Sequence, residues 1–322
     1  MDRKYRIARW LGHQYWLRGR GCLIASLVSP EERTGQRFDV DFFGHRYHGL
    51  LDDFIDRHVY LHGGWEVHVL ALMSQLASAQ RKMMRDPLTY VDVGANTGHH
   101  ALFMSRHADS VICFEPFELV RSRLEEKIVS NHLENVSVVP VALSAKEGTS
   151  FYYPPEGNNQ GTGSLIPEFS ALAGNRLEPA EIRTEMGDTY FSDSDADIAV
   201  LKIDVEGGER GVLEGFQKTL HRCRPAVVLE LSEHTKADFG SLAQLYRLVY
   251  TDALVLTVGH GAWRAGYTLQ ECDFIAPSDI LIIPRELSAL VPRSGSFAAV
   301  PTGRVRHRSG LAALSPYVGD RA

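Results

Sequence analysis

The stretch YVDVGANTGHH, Tyr90 to His100, sets Asp92, Gly94, Asn96 and Gly98 two residues apart. An apolar run leads into the glycines, so it reads as strand, turn and helix, the arrangement that opens many nucleotide sites. A dinucleotide turn reads G-x-G-x-x-G, and its middle glycine lets backbone approach a pyrophosphate. Here Asn96 occupies that place, and no lysine follows Gly98 as a P-loop would need. The spacing D-x-G-x-x-x-G suits a ligand with an amino acid end: Asp92 for an ammonium, and the helix-start N–H groups for a carboxylate. Glu115, in CFEP, lies 23 residues beyond Asp92, at a strand edge suited to two ribose hydroxyls. The plainer reading makes Glu115 a helix-start carboxylate that stabilises the dipole. Combined, the turn and the acid fit S-adenosylmethionine better than NAD.

A second constellation, LKIDVEGGE, carries Lys202, Asp204, Glu206 and Glu209 at the end of an apolar strand. A lysine in such a strand must find a partner, because an unpaired buried charge is costly. Glu230, in VVLEL on the neighbouring strand, is the expected one. Asp204 and Glu206 are expected to open toward the cofactor's sulfonium and the acceptor, with helix-start carboxylates as the alternative. Methyl transfer from a sulfonium is an in-line displacement governed by positioning. An alcohol acceptor must also lose its proton, and the candidate general bases are Asp204, Glu206 and His234. Of His99 and His100, one is expected to face the site and the other to pack or face solvent. No set of residues forms a recognisable metal motif, so no metal is expected. Asn159, in the loop PPEGNNQGTGSL, offers neutral hydrogen bonds of the kind a sugar would use, and Ser164 ends that loop. Trp65 could close over the acceptor, with core packing as its alternative.

VDVGANTG, FEP, VPVALS, LKIDVEGGE and VVLEL occur in an order and spacing that resemble the FkbM family of S-adenosylmethionine-dependent methyltransferases, over about residues 88–235. The resemblance implies that Asp92, Gly94, Asn96 and Gly98 serve the methionine side of the cofactor. It gives Glu115 the ribose and the Val141–Ala142 region the adenine, and Ser164 resembles a family position. It also implies O-methylation of a hydroxyl on a sugar, glycan, glycolipid or natural-product scaffold. An N-methyltransferase and a non-catalytic cofactor-binding subunit of a biosynthetic complex are the rival readings.

These residues need a scaffold. Strands apolar throughout, each followed by a helix, indicate a parallel sheet covered on both faces. The expected fold is the class I methyltransferase α/β fold: Rossmann-like, doubly wound, mostly parallel, seven-stranded, with an antiparallel last strand. Residues 1–85 read as an N-terminal α/β cap with a basic segment, a hairpin turning at Gly44 and a helix. Residues 86–290 read as the methyltransferase domain, and 291–322 as a flexible basic tail. The 322 residues carry a net charge of −6, which argues against nucleic acid as a partner. The basic N-terminus leaves peripheral contact with a membrane open. Four scattered cysteines suggest a reducing compartment, and a cytoplasmic location is expected. The expected partner is a small-molecule or glycan acceptor.

Overall fold

A computed structural model describes residues 3–14, 17–29, 35–83, 87–154, 163–165, 178–261 and 266–297. The cap begins with helices α1 (Arg3–Gly12) and α2 (Arg20–Leu27), followed by the hairpin β1 (Arg37–Phe42) and β2 (His45–Leu50). Its two-residue loop places Phe43 and Gly44 at φ 51° and 87°. Positive φ is uncommon for a phenylalanine. The ring of Phe43 packs edge-on against Phe42 and Phe103, at 5.0 and 4.9 Å, which holds the turn in place. Helix α3 (Phe54–His62) starts at Asp53, whose carboxylate accepts the Asp56 N–H, and ends on Gly63 at φ 82°. Helix α4 (Val67–Lys82) then reaches the main sheet, where Gln80 donates to the Ala199 carbonyl at 2.6 Å.

The sheet contains β3 (Thr89–Val93), β4 (Ser110–Phe114), β5 (Val136–Val139), β9 (Ile198–Ile203), β10 (Ala226–Leu231), β11 (Leu254–His260), β12 (Gly266–Glu271), β13 (Ser278–Ile283) and β14 (Ser294–Ser296). Its order is β14-β12-β11-β13-β10-β9-β3-β4-β5. Seven of these strands form the expected core: β5, β4, β3, β9 and β10 run parallel, and β13 lies antiparallel between β10 and β11. Two edge strands, β12 and β14, were not expected, and β14 falls within the segment read as a tail. Both are short and polar, so neither shows the apolar run by which a buried strand is recognised. Residues 298–322 lie outside the described residues.

VSVVPVAL, read as one strand, is two. Pro140 separates β5 from β6 (Ala142–Leu143), which joins β7 (Gly148–Tyr152) and β8 (Ala180–Glu185) in a small sheet beside the cofactor edge.

Alternation along the strands sends side chains to two cores. Val91, Val93, Leu201 and Ile203 join one of them. Tyr90 and Val200 join the other, together with the hairpin, α3, α4 and α5 (His99–Met104). Residues two apart on a strand share a face, so Asp92 and Lys202 point toward the cap. The cap is tied down by Arg123 of α6 (Glu118–Ser130), which pairs with Asp53 at 2.9 Å and Asp56 at 2.5 Å. On that helix Val120 and Leu124 are buried, whereas Leu119 points outward. Chain direction around the sheet reverses between β3 and β9, and a doubly wound sheet binds its ligand at the carboxyl ends beside such a switch point. Among the described residues, no helix is long and apolar enough to cross a membrane.

Candidate active site

A cavity of about 410 Å³ opens at this edge. The glycine turn forms one side of it. Gly94, Asn96 and Gly98 have φ 81°, 51° and 83°. A Cβ at Gly94 would overlap the Asp204 carbonyl oxygen, and one at Gly98 would overlap the Leu124 side chain. The close approach of β9 and α6 therefore demands both glycines. All five amides of the turn are satisfied within the protein. Gly94 and Ala95 donate to the Phe114 carbonyl at 3.0 and 3.1 Å, and Gly98 donates to Ala95 at 2.9 Å. Asn96 donates to the Glu115 carboxylate at 3.0 Å, and Thr97 to the Asn96 side chain at 2.7 Å. The turn spends its own amides on its shape, so a ligand carboxylate is left to the helix-start N–H groups that follow, from His99 onward.

Glu115 lines the cavity at the end of β4 and also receives the Phe117 amide at 3.0 Å. The helix-start reading is realised, and the carboxylate keeps capacity for a hydroxyl, since an oxygen that accepts one N–H can accept another donor. Burial lifts its pKa to about 7 against the pull of the two amides. Val141 and Ala142 line the wall beside it, and Tyr152 stacks on Phe117 at 4.9 Å.

Asp92 lies under the turn and is 1% exposed. It and Gly98 do not line the cavity directly. Neither carboxylate oxygen of Asp92 meets a donor in hydrogen-bonding geometry. Burial raises its pKa to about 6, with Lys202 pulling it down and Asp204 pushing it up.

Lys202 corrects another expectation. Its partner is Asp204 on its own strand, at 2.7 Å, rather than Glu230. The ammonium runs along β9 to the strand end, where the side chain of Asp204 is 29% exposed. Burial alone would lower the lysine's pKa, but Asp204, Asp92 and Glu66 together raise it. Glu230 Oε2 is left without a hydrogen bond. Its pKa is raised, first by Asp204 and then by burial and by Glu206. Asp204, Glu206 and Glu230 bring carboxylate oxygens within 4.8 Å of one another. Glu206, at φ 55°, has its pKa raised to about 8 by burial and by its acidic neighbours. Glu209 is structural: it accepts the amides of Val205 and Gly207 and the hydroxyl of Thr235.

Ser164 is fully buried, and its hydroxyl donates to the Glu206 carbonyl at 2.6 Å, so it holds Glu206 while Gly163 and Leu165 line the cavity. Trp65 lines the cavity and packs edge-on against Phe54 and His58. His234 does not line the cavity. It lies on the helix Glu233–Phe239, capped by Ser232, and that region reaches the cavity through Glu230 and Asp238. Asn159 lies outside the described residues. His99 and His100 are both buried, ring to ring at 3.8 Å, where one was expected to face the site. Glu66 lines the cavity and was missed. Its only sequence signal is a carboxylate just ahead of an amphipathic helix.

The raised acids carry a linkage consequence. The folded protein retains protons on Asp92 and Glu115 between their unfolded values, 3.8 and 4.5, and about 6 and 7. Stability is therefore fully present below the unfolded values and is lost as pH rises through the folded ones. A two-unit shift corresponds to about 3 kcal/mol. The urea midpoint of cofactor-free protein should fall between about pH 4 and 7, and Asp92→Asn should remove about 3 kcal/mol of that fall. An unchanged pH slope in the variant would refute this account of Asp92.

Residues 92–275, more than half of the chain, match the methyltransferase FkbM domain family. Methyltransferase sdnD of Sordaria araneosa is 26% identical over 207 residues, covering 54% of this chain and 76% of that protein. A methyltransferase FkbM from Methylobacillus flagellatus KT aligns at a TM-score of 0.40 with 14% identity, across 72% of this chain. This chain covers 55% of that one. The O-methyltransferase TomG of Streptomyces achromogenes, solved in complex with SAM, aligns at 0.35 with 9% identity, over 66% of this chain and 79% of TomG.

Proposed function

Because the chain belongs to the FkbM methyltransferase family, we propose that it transfers the methyl group of S-adenosylmethionine to a hydroxyl oxygen of a sugar or natural-product acceptor. The observation that carries this reading is the rim of Asp204, Glu206 and Glu230, which lines the same cavity as the glycine turn and Glu115. A site that only bound the cofactor would gain nothing from three crowded carboxylates.

The donor set fits the cofactor. Asp92 is a buried acid beside the Tyr90 hydroxyl, and neither of its oxygens completes a well-formed hydrogen bond, which matches an ammonium reached directly or through water. Glu115 would take the ribose hydroxyls, and Val141 and Ala142 the adenine. When bound, the cofactor supplies a methyl group on a sulfonium, ready for in-line displacement. Asp204, fixed by Lys202, orients the acceptor hydroxyl. Glu206 takes its proton as the oxygen attacks. Trp65 and Phe54 give the cavity an apolar wall.

A second reading has support in the same rim: three carboxylates near one lysine also attract a cationic amine, which would make the protein an N-methyltransferase. Titration calorimetry with S-adenosylmethionine, S-adenosylhomocysteine and NAD tests the cofactor. We expect micromolar binding of the first two, at least tenfold weaker in Asp92→Ala. Binding of NAD alone would overturn the reading. A screen of hydroxyl and amine acceptors with labelled methyl donor then separates the two acceptor classes.

A further inference from the structure

Two histidines and a carboxylate meet behind the cavity wall, and methyl transfer uses none of them. Glu66 ends the loop that enters α4, in a left-handed conformation at φ 47°. His99 and His100 open α5, directly after the glycine turn. His100 Nε2 lies 3.3 Å from Glu66 Oε2, and one nitrogen or oxygen of each of the three residues falls within 4.8 Å of the others. Both imidazoles are at least nine-tenths buried, at 3% and 5% exposure. Nε2 of each is buried and has no hydrogen-bond partner.

Two buried imidazole nitrogens in one pocket, one facing only the Glu66 carboxylate and the other without a partner, need a reason, because buried polar atoms are almost always paired. Histidine side chains that merely pack would present carbon to each other, or would bond a backbone group through both nitrogens. The ring of His99 does bond the Trp65 backbone, and this must use its other nitrogen. Such a bond fixes the tautomer that leaves the Nε2 lone pair free, as the outer partner of a metal-bound histidine does. Burial disfavours a charged imidazole, and Lys202 and Lys127 lie near enough to add to this, which keeps His99 and His100 neutral, the form that binds a metal. Glu66 sits among Asp279, Asp204 and Glu206, with Lys202 as the cation acting on it, and its pKa is raised well above normal by burial and by Asp279.

We propose that Glu66, His99 and His100 form a binding site for one borderline divalent metal ion, with zinc the best-matched member of the class. Two imidazoles and a carboxylate are a zinc-type set that leaves further coordination positions open. Bonds of 2.0–2.1 Å place tetrahedral ligands about 3.3 Å apart, a spacing that His100 and Glu66 already meet. Closing the third side requires a side-chain adjustment at His99. Because Glu66 lines the cavity, the open position faces the acceptor side. The ion would tie the cap, through the residue that starts α4, to the helix that follows the cofactor turn. The set escapes sequence inspection because Glu66 stands 33 residues ahead of His99.

The test uses the full chain, stripped of metal by a chelator and titrated with cobalt(II) as the probe. The expected result is one equivalent bound with visible ligand-field bands, displaced by one equivalent of zinc. His99→Gln and His100→Gln should each weaken binding at least 100-fold, while Glu230→Gln, in the separate carboxylate rim, should leave it unchanged. The wild-type cobalt protein should also show paramagnetically shifted imidazole N–H resonances, a readout that does not depend on any variant folding. The proposal is overturned if no equivalent binds tightly, if no shifted imidazole signal appears, or if binding survives both histidine changes and is lost in Glu230→Gln. None of these outcomes depends on methyl transfer, so the site stands or falls apart from the proposed activity.

Discussion

Glu206→Gln should lower kcat for methyl transfer to a hydroxyl acceptor by about 10²–10⁴-fold, the span contributed by a positioned general base. The affinity for S-adenosylmethionine should change by less than about threefold, since neutral, isosteric glutamine removes basicity and little else. Ser164 and Gly207 hold Glu206 in its left-handed conformation, and burial with the nearby acids lifts its pKa to about 8. A base must be ionised to accept a proton, so the wild-type rate should climb with pH through that value. The cationic cofactor should shift the midpoint downward, because a nearby positive charge favours the carboxylate. In Glu206→Gln that limb should disappear. If the variant retained full rate on a hydroxyl acceptor, Glu206 would not be the base. If the productive acceptors were amines and the variant kept its rate on them, the N-methylation reading would replace the first. Asp204→Asn is a less clean test, because it also leaves the buried Lys202 without its closest partner.

What the sequence revealed and what it hid divide along physical lines. The glycine turn and the acid beyond it were legible as a structural unit because they are local: Asp92, Gly94, Asn96, Gly98 and Glu115 sit at strand ends marked by apolar runs and glycines. The seven-stranded core was legible for the same reason, since doubly buried strands are continuous apolar segments. The strands GTSFY, AEIRTE and GYTLQE are half-exposed or lie at edges, and their polar residues give no such run. Lys202 was matched with the wrong acid because the reading placed its partner on the neighbouring strand. A flexible lysine stem can instead run along its own strand to the residue two positions on. Glu66 and the pair His99–His100 were unreadable as a unit, because only the cap's docking on the sheet brings them together. His234 was favoured by its place after a strand end, but the helix it enters turns it away from the cavity lining.

Gly94→Ala should abolish measurable cofactor binding and lower Tm by about 3–7 °C. Two costs add. At φ 81° an alanine carries a left-handed penalty of about 1–2 kcal/mol. Its Cβ would also overlap the carbonyl oxygen of Asp204, and overpacking of this kind costs about 1–3 kcal/mol. In a chain of this size each kcal/mol is worth about 1.5 °C. The overlap cannot be relieved cheaply, because the Asp204 amide donates to the Val93 carbonyl at 3.0 Å and locks the ends of β3 and β9 together at that point. Any shift that admits the methyl group moves Asp204 away from Gly94, and with it the Lys202 pair and the carbonyl-tethered Glu206. The turn and the carboxylate rim are in this sense one mechanical unit. Gly211→Ala is the control: its Cβ would meet Ala145 and Ser144 at 3.6 Å, an ordinary contact, within the helix Glu209–Gly215. Helix propensity there favours alanine by up to about 1 kcal/mol, so its Tm should hold or rise. If Gly94→Ala bound cofactor as well as Gly211→Ala, the two strand ends would have to separate freely, and the turn would not be what positions the acids beside it.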